Sequence, residues 1–408
     1  MALVGSRSGT ELSTGSRSQG SDVGYPSATA LVVLLLLASY IVLKPYYLLP
    51  SGLPQVADML LALALPFALF LPQLRLNDDG RGFRFYLMLF CAYTALVNLS
   101  WMFALMDPHM AVTASFYMFN LCLVIICLRI GTLQPKATFI TIAYAIVLSA
   151  GVQAVSTAFA YDMARLRQIA SFNNPNQLGY WSLLSLAIFW LIAGRAKIKW
   201  YVQVPTVVCL IYTAATSLSK SAMIATALLC ALHLVKRPKL IWIGLLALAP
   251  AYFVLDNTVL IERVSDRLQT LGEQSDDSLE ARGFPRVVDY PEYIVTGAGE
   301  GALYRFGEAD SSDEQVQIHE IHSTFLTILF SYGLFGSATF AAAIWRLYRL
   351  SSAGTFLYVI PPFFYGLTHQ GLRFSFLWLL LAVIAVLGLI NSRAGDYRHG
   401  KVVGERLR

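Results

Sequence analysis

The stretch Ile321-His322-Ser323-Thr324-Phe325-Leu326, followed by Gly333-Leu334-Phe335-Gly336, sets a histidine where a polar loop meets an apolar run. Ionisable groups at membrane depth are costly and usually face a water-filled cavity or a partner. Histidine is the side chain whose ordinary titration range suits proton transfer near neutral pH, so His322 is a candidate general base. Upstream, Arg282 and Arg286 are spaced to set two guanidinium groups on one side of a helical turn, and arginine suits bidentate recognition of phosphate. Gly297-Ala298-Gly299-Glu300-Gly301 follows them. Closely spaced glycines permit a backbone nest around Gly299 that receives an anion, or simply a turn.

Two further segments carry polar chemistry beside apolar runs. In Ser171-Phe172-Asn173-Asn174-Pro175-Asn176-Gln177, asparagine and proline are the residues that start a helix. The surplus of amides at Asn174 and Asn176 would also serve sugar hydroxyls or hold a catalytic loop. Arg165 and Arg167 precede this segment and favour an anionic partner on the same side. In Thr216-Ser217-Leu218-Ser219-Lys220-Ser221, Lys220 opens a helix. A cation at a helix N-terminus opposes the dipole, which leaves two readings: a contact to a phosphate-bearing ligand, or a lysine whose stem snorkels along the surface.

The elements that must position these residues are membrane helices. Hydrophobic residues make up 57% and charged residues 13% of the 408, against about 25% charge in soluble domains. An all-α, polytopic membrane protein is expected, with about twelve transmembrane helices. They fall near 28–48, 56–74, 84–106, 110–130, 137–158, 174–193, 199–217, 218–235, 238–255, 321–348, 354–370 and 374–391. Domain boundaries follow: a Ser- and Gly-rich disordered tail over 1–27, membrane helices over 28–255 and 321–391, and a basic tail over 392–408. Residues 256–320 form one large acidic loop, with partial helix expected around 259–272 and 285–295.

The basic residues Arg81, Arg84, Arg129, Lys136, Arg195, Lys197, Lys236 and Arg346 all fall on one side of the twelve-span arrangement. That side is predicted cytoplasmic, with both termini, and the large loop periplasmic. The positive net charge then reflects orientation, and no nucleic-acid partner is implied. The five cysteines lie in apolar runs and read as small core residues. No phosphate loop or dinucleotide unit occurs, the acidic loop shows no ligand spacing, and neither a cofactor nor a metal is expected.

Together these segments resemble the O-antigen ligase and polymerase superfamily of bacterial envelope glycosyltransferases. Asn174-Pro175-Asn176-Gln177 is similar to the family's Asn-Pro-Asn signature. His322-Ser323, nine residues, then Gly333 and Gly336 is similar to the ligase pattern. The long loop with its arginine pair ahead of that histidine completes the likeness. Ser337-Ala338 stands where ligases have two threonines, and Ser219-Lys220 where Ser-Arg is usual.

The resemblance implies an inner-membrane enzyme that moves a glycan from an undecaprenyl-diphosphate carrier to an acceptor hydroxyl. The acceptor is a lipid A core sugar for a ligase, or another lipid-linked glycan for a polymerase of O-antigen or exopolysaccharide. It implies His322 as the base, with Arg282, Arg286 and Lys220 on the diphosphate. A transporter or flippase of anionic lipid is the alternative class; the two halves show no similarity, and the loop's asymmetric position favours an enzyme.

Overall fold

The computed structural model describes residues 27–47, 55–73, 76–159, 167–236, 262, 264–266, 269, 282–306 and 321–406. Among them the regular structure is helical throughout. The helices are α1 (Ala28–Leu43), α2 (Val56–Phe70), α3 (Asp78–Leu105), α4 (His109–Leu133), α5 (Pro135–Phe159), α6 (Pro175–Ile192), α7 (Trp200–Thr216) and α8 (Lys220–Val235). Within the 256–320 segment lie the one-turn helices α9 (Arg286–Asp289) and α10 (Tyr293–Thr296); then come α11 (Thr324–Leu350), α12 (Ala353–Phe356), α13 (Ile360–Tyr365) and α14 (Ser375–Arg406). Five are long and apolar enough to cross a bilayer: α3, α4, α5, α11 and the Ser375–Arg393 part of α14. The others are shorter, and the span expected over 238–255 lies outside the described residues.

The sequence starts these helices by local capping. The Asn77 side chain accepts from Gly80 N at 2.9 Å, ahead of Asp78 and Asp79 in the first turn of α3, where carboxylates complement the helix dipole. Asn174 caps α6, with Pro175 in the first turn, and Ser323 caps α11. Packing then sorts the helices into layers. The segment Phe376–Leu387 of α14 is buried on every side, as is most of α6, the pattern of a helix at the centre of a bundle. Helices α2 and α3 instead expose Leu63, Phe70, Phe85, Leu96 and Phe103, apolar side chains suited to lipid. A buried ion pair, Lys44 Nζ to Asp58 Oδ1 at 2.6 Å, joins the end of α1 to the start of α2.

Four expectations need correction. The run 354–370 is not one helix: Pro361 and Pro362 follow a 3-10 turn over Leu357–Val359, and helix ends at Tyr365. Proline removes a backbone donor and clashes with the preceding turn, so the chain breaks into short pieces ahead of α13; α13 itself is capped at Gly366, and 366–374 is a loop. The last helix, expected to stop at 391, continues to Arg406 into the segment expected as a tail. The partial helix expected over 285–295 is two separate turns, α9 and α10; of 259–272, only 262, 264–266 and 269 are described, and they are helical. Finally, Arg282 and Arg286 do not share a helical turn. Gly283 has φ 68° and Pro285 caps α9, so helix begins only at Arg286.

Helix α11 is broken at Gly333, where φ is 61° and ψ is −166°, a conformation available essentially to glycine alone. The break removes the i+4 donors that the carbonyls of Phe330 and Ser331 would otherwise meet. The loop supplies replacements: Ala298 N donates to Phe330 O at 2.9 Å and Gly299 N to Ser331 O at 2.8 Å. A Cβ on Gly333 would lie 2.5 Å from the Val295 carbonyl oxygen. The glycine-rich segment is thus a strap laid into a gap in the helix.

Candidate active site

A cavity of about 360 Å³ opens where one end of the bundle gathers the end of α1, the starts of α4, α6 and α14, and the 366–374 loop. Its wall combines Asn174, Asn176 and Gln177 with the rings of Tyr47, Phe116 and Tyr180, and with His322, His369 and Arg373. Amides beside aromatic faces match the hydroxyls and apolar faces of sugars.

His322 is half-buried and its position is fixed by backbone. Its N–H donates to Arg282 O at 3.0 Å, and two residues on, Thr324 N donates to Gly366 O at 2.7 Å. Thr324 Oγ1 donates to His369 O at 3.0 Å and accepts from Gly371 N at 2.9 Å. These bonds tie the N-terminus of α11 to the 366–371 loop, so the two imidazoles meet edge to face, 6.4 Å between centroids. His369 in turn stacks on Tyr365 at 4.7 Å, and Tyr365 on Tyr180 at 4.1 Å. Thr368 Oγ1 lies 3.1 Å from His369 Nδ1. The His369 ring is thus held at one face and at Nδ1, and the His322 ring packs edge to face against it.

Asn174 lines the cavity while its Oδ1 accepts from Asn176 N at 2.7 Å, so the same residue caps α6. Asn176 is held by Arg167, whose Nη2 donates to Asn176 Oδ1 at 2.6 Å and whose Nε donates to Ser217 O at 3.2 Å. Tyr365 Oη donates to Asn176 O at 3.2 Å. Arg167 is thus a brace between α6 and the α7–α8 turn; Arg165 lies outside the described residues.

The three proposed phosphate cations stand around this cavity and do not line it. The Arg282 Nη1 donates to Thr368 O at 2.8 Å, next to His369. Arg286 borders a separate, water-sized cleft with Glu300 and Arg373, and burial pulls its pKa below that of a free guanidinium, against the opposing effect of Tyr290. Lys220 begins α8 and is only 8% exposed; its neighbour Ser221 lies 2.6 Å from Thr368, Oγ to Oγ1. Of the two readings of the glycine-rich segment, the anion nest is not available: the N–H groups of Ala298, Gly299 and Glu300 bond to Phe330 O, Ser331 O and Asn98 Oδ1. Gly299 serves the strap.

Several site residues carry no local sequence signal. Glu300, 3% exposed, accepts from Tyr117 Oη and, at 2.5 Å, from Arg373 Nε, with Gln370 Nε2 at 3.3 Å. Arg373 borders both cavities. The Pro361-Pro362 pair stands in the first turn of α13 and marks the break before that helix, not its end ahead of His369, Gln370 and Arg373. Among the described residues no group of three His, Cys, Asp or Glu is placed to hold a metal.

Helices long and apolar enough to span a bilayer, with a polar cavity at one end of the bundle, define a helical membrane protein with a single-ended site. The model of the O-antigen ligase family matches residues 205–341, which bears out the resemblance read from the motifs. The matched stretch contains Lys220, Arg282, Arg286 and His322, and stops short of Asn174, His369 and Arg373. No curated protein matches the chain.

Proposed function

We propose that this chain is a glycosyltransferase of the bacterial inner membrane that transfers a glycan from an undecaprenyl-diphosphate carrier to an acceptor hydroxyl, in the manner of an O-antigen ligase. The observation that carries the reading is His322 at the wall of a cavity built from amides and aromatic rings. The family match supports it over a transporter.

In this reading the acceptor sugar lies against the Tyr180 and Tyr47 side of the cavity, with Asn174 and Asn176 near its hydroxyls. His322 takes the proton as the acceptor oxygen attacks the anomeric carbon of the donor. The bond from that carbon to the carrier's diphosphate oxygen breaks, and Arg282, Arg286 and Lys220, which surround the cavity without lining it, would have to turn toward the diphosphate to receive the charge that develops there. Side-chain cations do the work of a metal, so transfer should survive EDTA. Ser337-Ala338, where ligases carry two threonines, favours the polymerase variant of the same chemistry, in which the acceptor is a second lipid-linked glycan.

The site faces the periplasm if the basic loops are cytoplasmic; reporter fusions at Ser275 and Lys197 should then report opposite sides. The decisive experiment uses purified protein with a lipid-linked donor. His322→Gln should lose about a hundredfold to ten-thousandfold in transfer rate while donor binding persists. Retained turnover would remove the base assignment.

A further inference from the structure

Helix α4 carries the wall of the active-site cavity at Phe116 and, about 20 Å further along its axis, a second cavity at Arg129 and Thr132. This cavity, about 310 Å³, is floored by Ile125 and Leu128 of α4 and flanked by Leu69 of α2 and Met88 of α3. Arg84, Arg129 and Gln73 border it. Leu69 and Met88 are 50% and 45% exposed, so the groove opens sideways, toward where acyl chains would lie.

The cations at its edge have different occupations. Arg129 Nη1 donates to Leu69 O at 2.9 Å and Leu71 O at 3.0 Å, closing the C-terminal carbonyls of α2. Others at this end of the bundle are engaged: Arg81 pairs with Asp78, Arg346 with Asp79, and Arg195 donates to Asn391. Arg84 makes no ion pair or hydrogen bond among the described residues, although it is half-buried beside an apolar trough. A guanidinium so placed is stabilised by an anion whose remainder is apolar.

We propose that the α2–α3–α4 groove is a binding site for an anionic phospholipid, its headgroup phosphate on Arg84 and one acyl chain along Leu69, Met88, Ile125 and Leu128. The volume sits at the low end for ligand sites, about 300–1,000 Å³, which suits one chain and a phosphate. The site lies at the opposite end of α4 from the proposed chemistry and is independent of it.

Native mass spectrometry of the purified full chain, titrated with phosphatidylglycerol and with phosphatidylcholine, tests this. The wild type should bind one phosphatidylglycerol about fivefold more tightly than phosphatidylcholine, the effect of one basic group at a charged interface. Arg84→Gln should abolish the headgroup preference, Arg84→Lys should keep most of it, and Met88→Trp, which fills the trough, should weaken both lipids. Arg195→Gln is the control and should change nothing. Equal binding of the two lipids by the wild type, or a preference that survives Arg84→Gln, overturns the proposal. An equal loss in Arg195→Gln overturns it too, since the preference would then belong to the charge of the whole face.

Discussion

The Arg373 guanidinium lies 2.5 Å from the Glu300 carboxylate, whose side chain is 2% exposed against 23% for the arginine. The two residues join the glycine-rich strap to the first loop turn before α14. A carboxylate withdrawn this far from water is tolerated only when its lone pairs are met, and here Tyr117, Gln370 and Arg373 meet them. Removing one partner of a buried pair costs about 3–5 kcal/mol. Arg373→Met should therefore destabilise the protein more than the double variant Glu300→Gln/Arg373→Met. Thermal unfolding in detergent measures this, and strictly additive losses would mean the pair is not coupled.

Gly333→Ala should destabilise by at least about 1–3 kcal/mol, the usual cost of holding a side chain in a glycine-only conformation, before any clash with Val295 O is counted. The test is again thermal unfolding. Gly336→Ala is the informative companion, because Gly336 has ordinary helical dihedrals and its added Cβ meets the Tyr332 side chain. An unchanged melting temperature in Gly333→Ala would deny that the break is needed.

Arg282 and Arg286 should respond differently to lysine. Lysine keeps the charge of either residue and loses the planar fork. Arg282 also holds Thr368 O, so Arg282→Lys should lower turnover with smaller change in donor affinity, by disturbing the loop that carries His369. Arg286→Lys should act mainly on donor affinity. Near-normal kinetics in both would return the pair to charge balance within an acidic loop.

His369→Ala should reduce transfer by less than His322→Ala if, as proposed, His322 takes the proton and His369 only packs against it. His369→Phe preserves the stack on Tyr365 and should restore part of the loss if stacking is the contribution. Equal activity of the Ala and Phe variants would locate its contribution in the imidazole nitrogens.

What the sequence disclosed follows from the range of the interactions involved. The start of α6 was readable because Asn174 and Pro175 act within one turn. The helix entry beside His322 was readable because Ser323 caps α11 within its first turn. Glu300 with Arg373, and His322 with His369, are joined only after the loop folds back, so no local pattern announces them. The arginine pair misled for the same reason in reverse: spacing implied a shared turn, and Gly283 and Pro285 between them forbade it. Gly333 was visible as half of a motif, while its purpose depends on backbone from residues 297–299.

The seam at Gly333 has a consequence for how the chain is assembled. The donors at Ala298 and Gly299 are synthesised about thirty residues before the acceptors at Phe330 and Ser331, and the break lies roughly 15 Å along α11 from its first turn. With α11 broken at Gly333, those two carbonyls would be left without partners in hydrocarbon, at a penalty of several kcal/mol each, until the strap is docked. If the loop is periplasmic, as proposed, docking of the strap and opening of the break in α11 are coupled steps of assembly. Two fragments divided between Phe306 and Ile321 carry the donors and the acceptors separately, so the fragments have a ready-made reason to find each other when co-expressed.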